Sequence, residues 1–141
     1  MRHPARATLA AVFLAAAIDA APARACNACV EDKVAATYDW QVVSAAARSG
    51  HTVVFARLDG PVTPGDAGLE MSLRRRLVAV QGVDAGSVRT SLAPPAVSFA
   101  ADLRRRRVDD LLAAMNRALR PSGHGLTLVR VGAPGDRTQM P

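Results

Sequence analysis

Cysteine is nearly absent from this chain. Cys26 and Cys29 are the only two in 141 residues, and they stand three apart. So few thiols exclude a scaffold stapled by several disulfides. Lysine is scarcer still, since Lys33 is the single lysine among 18 basic residues and the positive charge is almost wholly arginine. Aromatic residues make up only 4%. The core must then come from Val, Leu and Ala, with Phe55, Phe99, Tyr38 and Trp40 as its larger pieces. The longest apolar run, Leu9 to Ile18, is far short of the roughly 20 residues that a membrane-spanning helix needs. There is no G-x-S-x-G elbow, no H-E-x-x-H helix and no glycine-rich phosphate loop, so the chain is read as non-enzymatic.

What is present begins with a leader. Arg2, His3 and Arg6 precede the Leu9–Ile18 run, and Ala23-Arg24-Ala25 places small residues at −3 and −1 for cleavage before Cys26. This is the pattern of a signal peptide over residues 1–25, and it predicts a soluble periplasmic or secreted protein. Acylation of Cys26, giving a lipid anchor, is the alternative processing. Loss of residues 1–25 removes three arginines and one aspartate, which lowers the formal charge from +6 to +4. Arg74-Arg75-Arg76 and Arg104 to Arg107 carry much of that charge without interleaved aromatics. They read as solvated faces, and no nucleic-acid partner is expected.

The body divides by hydrophobic period. Val30, Val34, Tyr38 and Val42 recur every four residues, which predicts one amphipathic helix over Val30–Arg48, with Glu31 and Asp32 near its start and Gly50 as its stop. Thr52–Leu58 is a β-rich apolar run of the kind that forms a buried central strand. Leu69, Leu73, Leu77 and Val80 predict a helix ending at Gly82, and Ser87–Leu92 and Ala96–Ala100 two strands joined through Ala93-Pro94-Pro95. Val108, Leu111, Leu112, Met115 and Leu119 mark a second helix stopped by Pro121, before a closing strand at Leu126–Val131. The paired carboxylates Glu31-Asp32 and Asp109-Asp110 are assigned to helix starts rather than to catalysis.

The domain reading is therefore a leader (1–25), a cysteine segment with its helix (26–50), a folded body (51–132) and a loose tail (133–141). The fold class is α+β, in the ferredoxin-like βαββαβ order. The extra N-terminal helix is expected to lie on the sheet face that the other two helices leave bare.

The phrases Leu73–Asp84, "LRRRLVAVQGVD", and Leu111–Leu126, "LLAAMNRALRPSGHGL", resemble the heavy-metal-associated domain of copper chaperones and metal-pumping ATPases, as does the order of elements over residues 52–131. That resemblance implies a ferredoxin-like fold. The family's metal loop, Met-x-Cys-x-x-Cys between first strand and first helix, corresponds here to Asp59–Gly68, which holds no cysteine, methionine or histidine. No family ligand carries over.

The chain's own candidate metal ligands are Cys26 and Cys29. Two thiolates spaced C-x-x-C suit a soft ion, Cu(I) first, with His51, His124, Met71 and Glu31 as residues that could complete a shell. A Cys26–Cys29 disulfide stands level with that reading in an oxidising compartment. It would make the protein a non-enzymatic interaction module for a protein partner.

Overall fold

The strand Thr52–Asp59 (β1) is apolar in both directions, and everything else is laid around it. Val54, Ala56 and Leu58 turn to one face, Val53 and Phe55 to the other, and all five are buried. Such a strand needs a partner on each edge and a cover on each face. The structure, a computed structural model, describes residues 26–132, Cys26–Cys29 by their backbone alone; the expected leader and tail lie outside them.

Two antiparallel neighbours flank β1: Pro95–Ala101 (β3) on one edge and Gly125–Val131 (β4) on the other. Arg89–Leu92 (β2) pairs with the far edge of β3, giving the sheet order β2-β3-β1-β4. Helix Ala67–Val78 (α3) joins β1 to β2, and helix Val108–Leu119 (α4) joins β3 to β4. This is the ferredoxin-like βαββαβ arrangement. The helical spacings read from the sequence produce the first core layer, in which Leu73, Leu77, Leu111, Met115 and Leu119 pack on Val54, Val97 and Phe99. Asp66 starts α3 by accepting the Leu69 amide at 2.9 Å. Among the described residues, no helix is long and apolar enough to cross a membrane.

The second face is covered from the N-terminal side, as the amphipathic pattern predicts, but by two helices rather than one. Cys26–Thr37 (α1) and Trp40–Ser49 (α2) bury Val34, Val42 and Ala46 against Val53, Phe55 and Ala100. The break falls at Asp39, whose backbone is extended (φ −131°, ψ 113°). Its Oδ1 accepts the amides of Gln41 at 2.8 Å and Val42 at 3.3 Å, capping α2. Its Oδ2 accepts the Arg89 guanidinium of β2 at 2.8 Å.

Three expectations are corrected by this elbow. Helix α1 begins at Cys26, so Glu31 and Asp32 lie in its second turn and do not serve its start. Tyr38 and Trp40, expected in the core, stand at the bend, 38% and 70% exposed. The period-four stripe crosses the break between the two helices, and of its four residues only Val34 and Val42 are buried.

The elbow's charges set an acid limit. Hydrogen bonding to Arg89 and then to the Val42 amide holds the Asp39 carboxyl below its ordinary value of 3.8. The Arg104 side chain does the same for Asp102. Partial burial pushes Asp59 up, but hydrogen bonds from Thr127 and Arg57 outweigh it and leave that carboxyl lowered as well. A carboxyl lowered on folding contributes fully above its unfolded pKa. Its contribution drains away as pH falls from that value through the folded one, because there the unfolded chain binds the proton first. The melting temperature should therefore hold between pH 7 and about pH 5 and drop below roughly pH 4. Asp39→Asn should flatten part of that drop, and Asp39→Ala should lower the melting temperature at neutral pH more than Asn does, because alanine cannot cap. Calorimetry across pH checks both statements, and a midpoint unchanged at pH 3 would reject the first.

Candidate functional site

Helix α1 carries both cysteines in its first turn. Ideal helix geometry separates Cα atoms three residues apart by about 5 Å and sets them on one face. The first four amides of a helix lack intrahelical acceptors, and their summed field favours thiolate over thiol. Lys33 lies four residues beyond Cys29 and so falls on the same stripe of α1.

What fixes this helix is a row of polar ties across the sheet. Ser98 Oγ, on β3, donates to the Thr37 carbonyl at 2.9 Å in a buried contact. That bond satisfies a carbonyl of α1's last turn, which has no helical partner. Thr37 Oγ1 donates to the Lys33 carbonyl at 3.3 Å, and Arg130 of β4 pairs with Glu31. With Asp39–Arg89, the α1–α2 layer is thus tied to β2, β3 and β4 in turn.

The residues proposed to complete a metal shell do not gather. Glu31 is engaged by Arg130. Met71 lies on α3, across the sheet from α1, with 62% of its surface exposed. His51 precedes β1 and His124 precedes β4, at opposite ends of the eight-residue β1, roughly 25 Å apart at the usual strand rise. His124 Nε2 lies 2.9 Å from the Pro61 carbonyl. A carbonyl only accepts, so Nε2 carries the proton, and the buried Nδ1 is left without a partner. His51 Nδ1 is likewise buried and unpartnered. Among the described residues, no group of three or more His, Cys, Asp or Glu side chains surrounds a common point.

The loop between β1 and α3 does have structure. Asp59 accepts from Arg57 Nε and from Thr127 Oγ1, each at 2.6 Å, which pins the end of β1 to β4. Gly60 follows at φ +112°, close against the Gly123–His124 backbone. These contacts close the corner between β1 and α3, and residues 59–68 of that corner hold no sulfur donor. The sequence signalled the cysteine pair by its spacing. It gave no sign of the three ties across the sheet, which join residues 50 to 99 positions apart.

No family model, curated protein or solved structure matches the chain.

Proposed function

We propose that the protein binds and carries a soft metal ion, Cu(I), between the thiolates of Cys26 and Cys29, and does so outside the cytoplasm without catalysing a reaction. One observation carries this reading: the chain's only two sulfhydryl residues share the first turn of a helix tied to two strands, β3 and β4. The spacing brings two thiolates to one ion, and the helix start favours their ionised form. Cu(I) accepts two sulfur ligands, whereas Zn(II) asks for four, so a site of two thiolates suits copper better.

The exported chain, reduced and given one equivalent of Cu(I), should retain one ion in native mass spectrometry. Cys26→Ser and Cys29→Ser should each take the bound copper from one to none, with the melting temperature of the metal-free protein unchanged. A reduced wild-type protein that stays metal-free overturns the proposal. So would a lipid-sized mass increment on Cys26, because acylation consumes one of the two ligands.

A second reading, that of an interaction module with Cys26 and Cys29 oxidised, draws support from the exposed Tyr38 and Trp40 at the α1–α2 elbow. Exposed aromatics are enriched at binding hot spots. The cysteine variants would then leave partner binding intact, while Trp40→Ala would weaken it.

A further inference from the structure

One end of the molecule gathers eight arginines that the sequence scatters over 60 positions: Arg48, Arg74–Arg76 and Arg104–Arg107. The loop from Asp102 to Arg107 brings them together. Its Arg104 guanidinium lies 3.1 Å from where a side chain on Gly50 would begin, beside the end of α2 and Arg48. Its Arg106 donates to the Gln81 carbonyl and passes 3.3 Å from the Cβ position of Gly82, just beyond the α3 terminus that carries Arg75 and Arg76.

Helix C-termini favour nearby cations, which accounts for Arg48, Arg75 and Arg76. It does not account for the loop. Asp102 serves both Arg104 and Arg105, at 2.9 and 3.4 Å, and Arg107 meets Asp109 only at 3.7 Å. The side chains of these three arginines remain 74%, 88% and 83% exposed. With Asp84, Asp102, Asp109 and Asp110 near the loop and Glu70 one turn before Arg74 on α3, five carboxylates stand against eight arginines and a net positive charge remains. Concentrated like charge destabilises a compact state. An anionic partner would relieve it.

The surroundings discriminate among anionic partners. The segments that carry most of these arginines, α3 and the Asp102–Arg107 loop, hold no aromatic residue to interleave with them, and Trp40 stands about 12 Å along α2 from Arg48, so the pole lacks the base-stacking pattern of a nucleic-acid site. A shallow cleft of about 340 Å³ runs along α3, with Met71, Val78 and Ala85 as its apolar lining and Arg74 and Arg75 beside them. Exposed cations bordering apolar groups match a headgroup layer above an acyl boundary, and guanidinium groups pair with phosphate oxygens.

We propose that this arginine pole docks the protein on the anionic phosphate surface of a membrane, with Met71 at the acyl boundary. The test is co-sedimentation of the full chain with phosphatidylcholine vesicles, with and without added phosphatidylglycerol. The partition onto pure phosphatidylcholine subtracts any contribution of the Leu9–Ile18 run. Each arginine near an anionic surface is worth roughly a fivefold factor in partition. The variant Arg74→Gln/Arg75→Gln/Arg105→Gln/Arg107→Gln should thus lose about two to three orders of magnitude on anionic vesicles. The control Arg117→Gln/Arg120→Gln, which neutralises two exposed arginines at the far end of α4, should lose less than tenfold.

Matching far-UV circular dichroism and melting temperatures keep folding out of the comparison. Three outcomes overturn the proposal. One is no preference for phosphatidylglycerol, and another is the same loss per arginine in pole and control variants. The third is displacement from vesicles by an oligonucleotide at equal phosphate concentration, which would reassign the pole to nucleic acid.

Discussion

Phe55→Ala should destabilise the protein by about 3–5 kcal/mol and should do so chiefly by loosening the α1–α2 layer. Phe55 is 1% exposed and, among the described residues, is the only aromatic in the second core, where its buried companions are Val34, Val42, Ala46, Val53 and Ala100. Small neighbours cannot close over a hole the size of a phenyl ring, so the cavity penalty adds to the lost transfer energy. Against a typical total of 5–15 kcal/mol, that loss leaves the layer near its threshold. Hydrogen exchange should rise first in residues 30–49 and only later in α3 and α4, whose core on the opposite sheet face is untouched. Phe99→Ala, cut from that opposite core, should raise exchange throughout. A Phe55→Ala loss below about 1 kcal/mol would mean that the layer does not pack on the sheet as described. Under the copper reading, the ion should still bind to the variant, because both ligands belong to one local turn.

The elements that the sequence revealed share a physical property: their signal is local. Thr52–Leu58 could be read as a central strand because a strand buried on both faces has no polar alternation to blur. Leu73 and Leu77 of α3 and Leu111, Met115 and Leu119 of α4 repeat at helical spacing and were found buried. The βαββαβ order and the cover on the second face followed from those. The break at Tyr38–Asp39 is of another kind. The valine stripe runs through Asp39 without a change of period, so nothing in it marks the cap that the structure shows there. The bend is also held by Arg89 and Ser98, far away in the chain, and such contacts leave no mark in a window of fifteen residues. Tyr38 and Trp40 were misplaced for the same reason, since their size suggests burial and only the bend turns them outward.

The candidate site divides along the same line. Cys26 and Cys29 could be paired by their C-x-x-C spacing alone, although the sequence pattern starts the helix at Val30 and α1 in fact begins at Cys26. Whether His51, His124, Met71 or Glu31 could join them was a question of topology. It turned on which end of β1, which sheet face and which existing partner each one has. The arginine runs were legible as charge and illegible as a cluster. Only the path of the Asp102–Arg107 loop between the ends of α2 and α3 puts them together.

Gly60→Ala should be far more costly than Gly65→Ala, although both glycines lie in the same loop with positive φ. Gly65 (φ +81°) has nothing within 4 Å of a built Cβ, so its alanine variant meets only the backbone preference, about 1 kcal/mol. At Gly60 (φ +112°), the added carbon would stand 2.7 Å from the Gly123 carbonyl oxygen and 3.0 Å from His124 Cδ2. The backbone conformation alone then costs about 1–3 kcal/mol, and the overlap adds to it because a carbonyl in the backbone cannot rotate aside as a side chain can. Relief requires the Gly123–His124 segment to move away from β1. That movement breaks the 2.9 Å bond from His124 Nε2 to the Pro61 carbonyl and frees the imidazole. Two readouts therefore move together in Gly60→Ala: the thermal midpoint falls, and the His124 ring nitrogen shifts in NMR approach those of a solvated histidine. In Gly65→Ala the ring signals should stay in place. Equal losses in the two variants, with His124 undisturbed in both, would show that the corner between β1 and β4 is not closed by this contact.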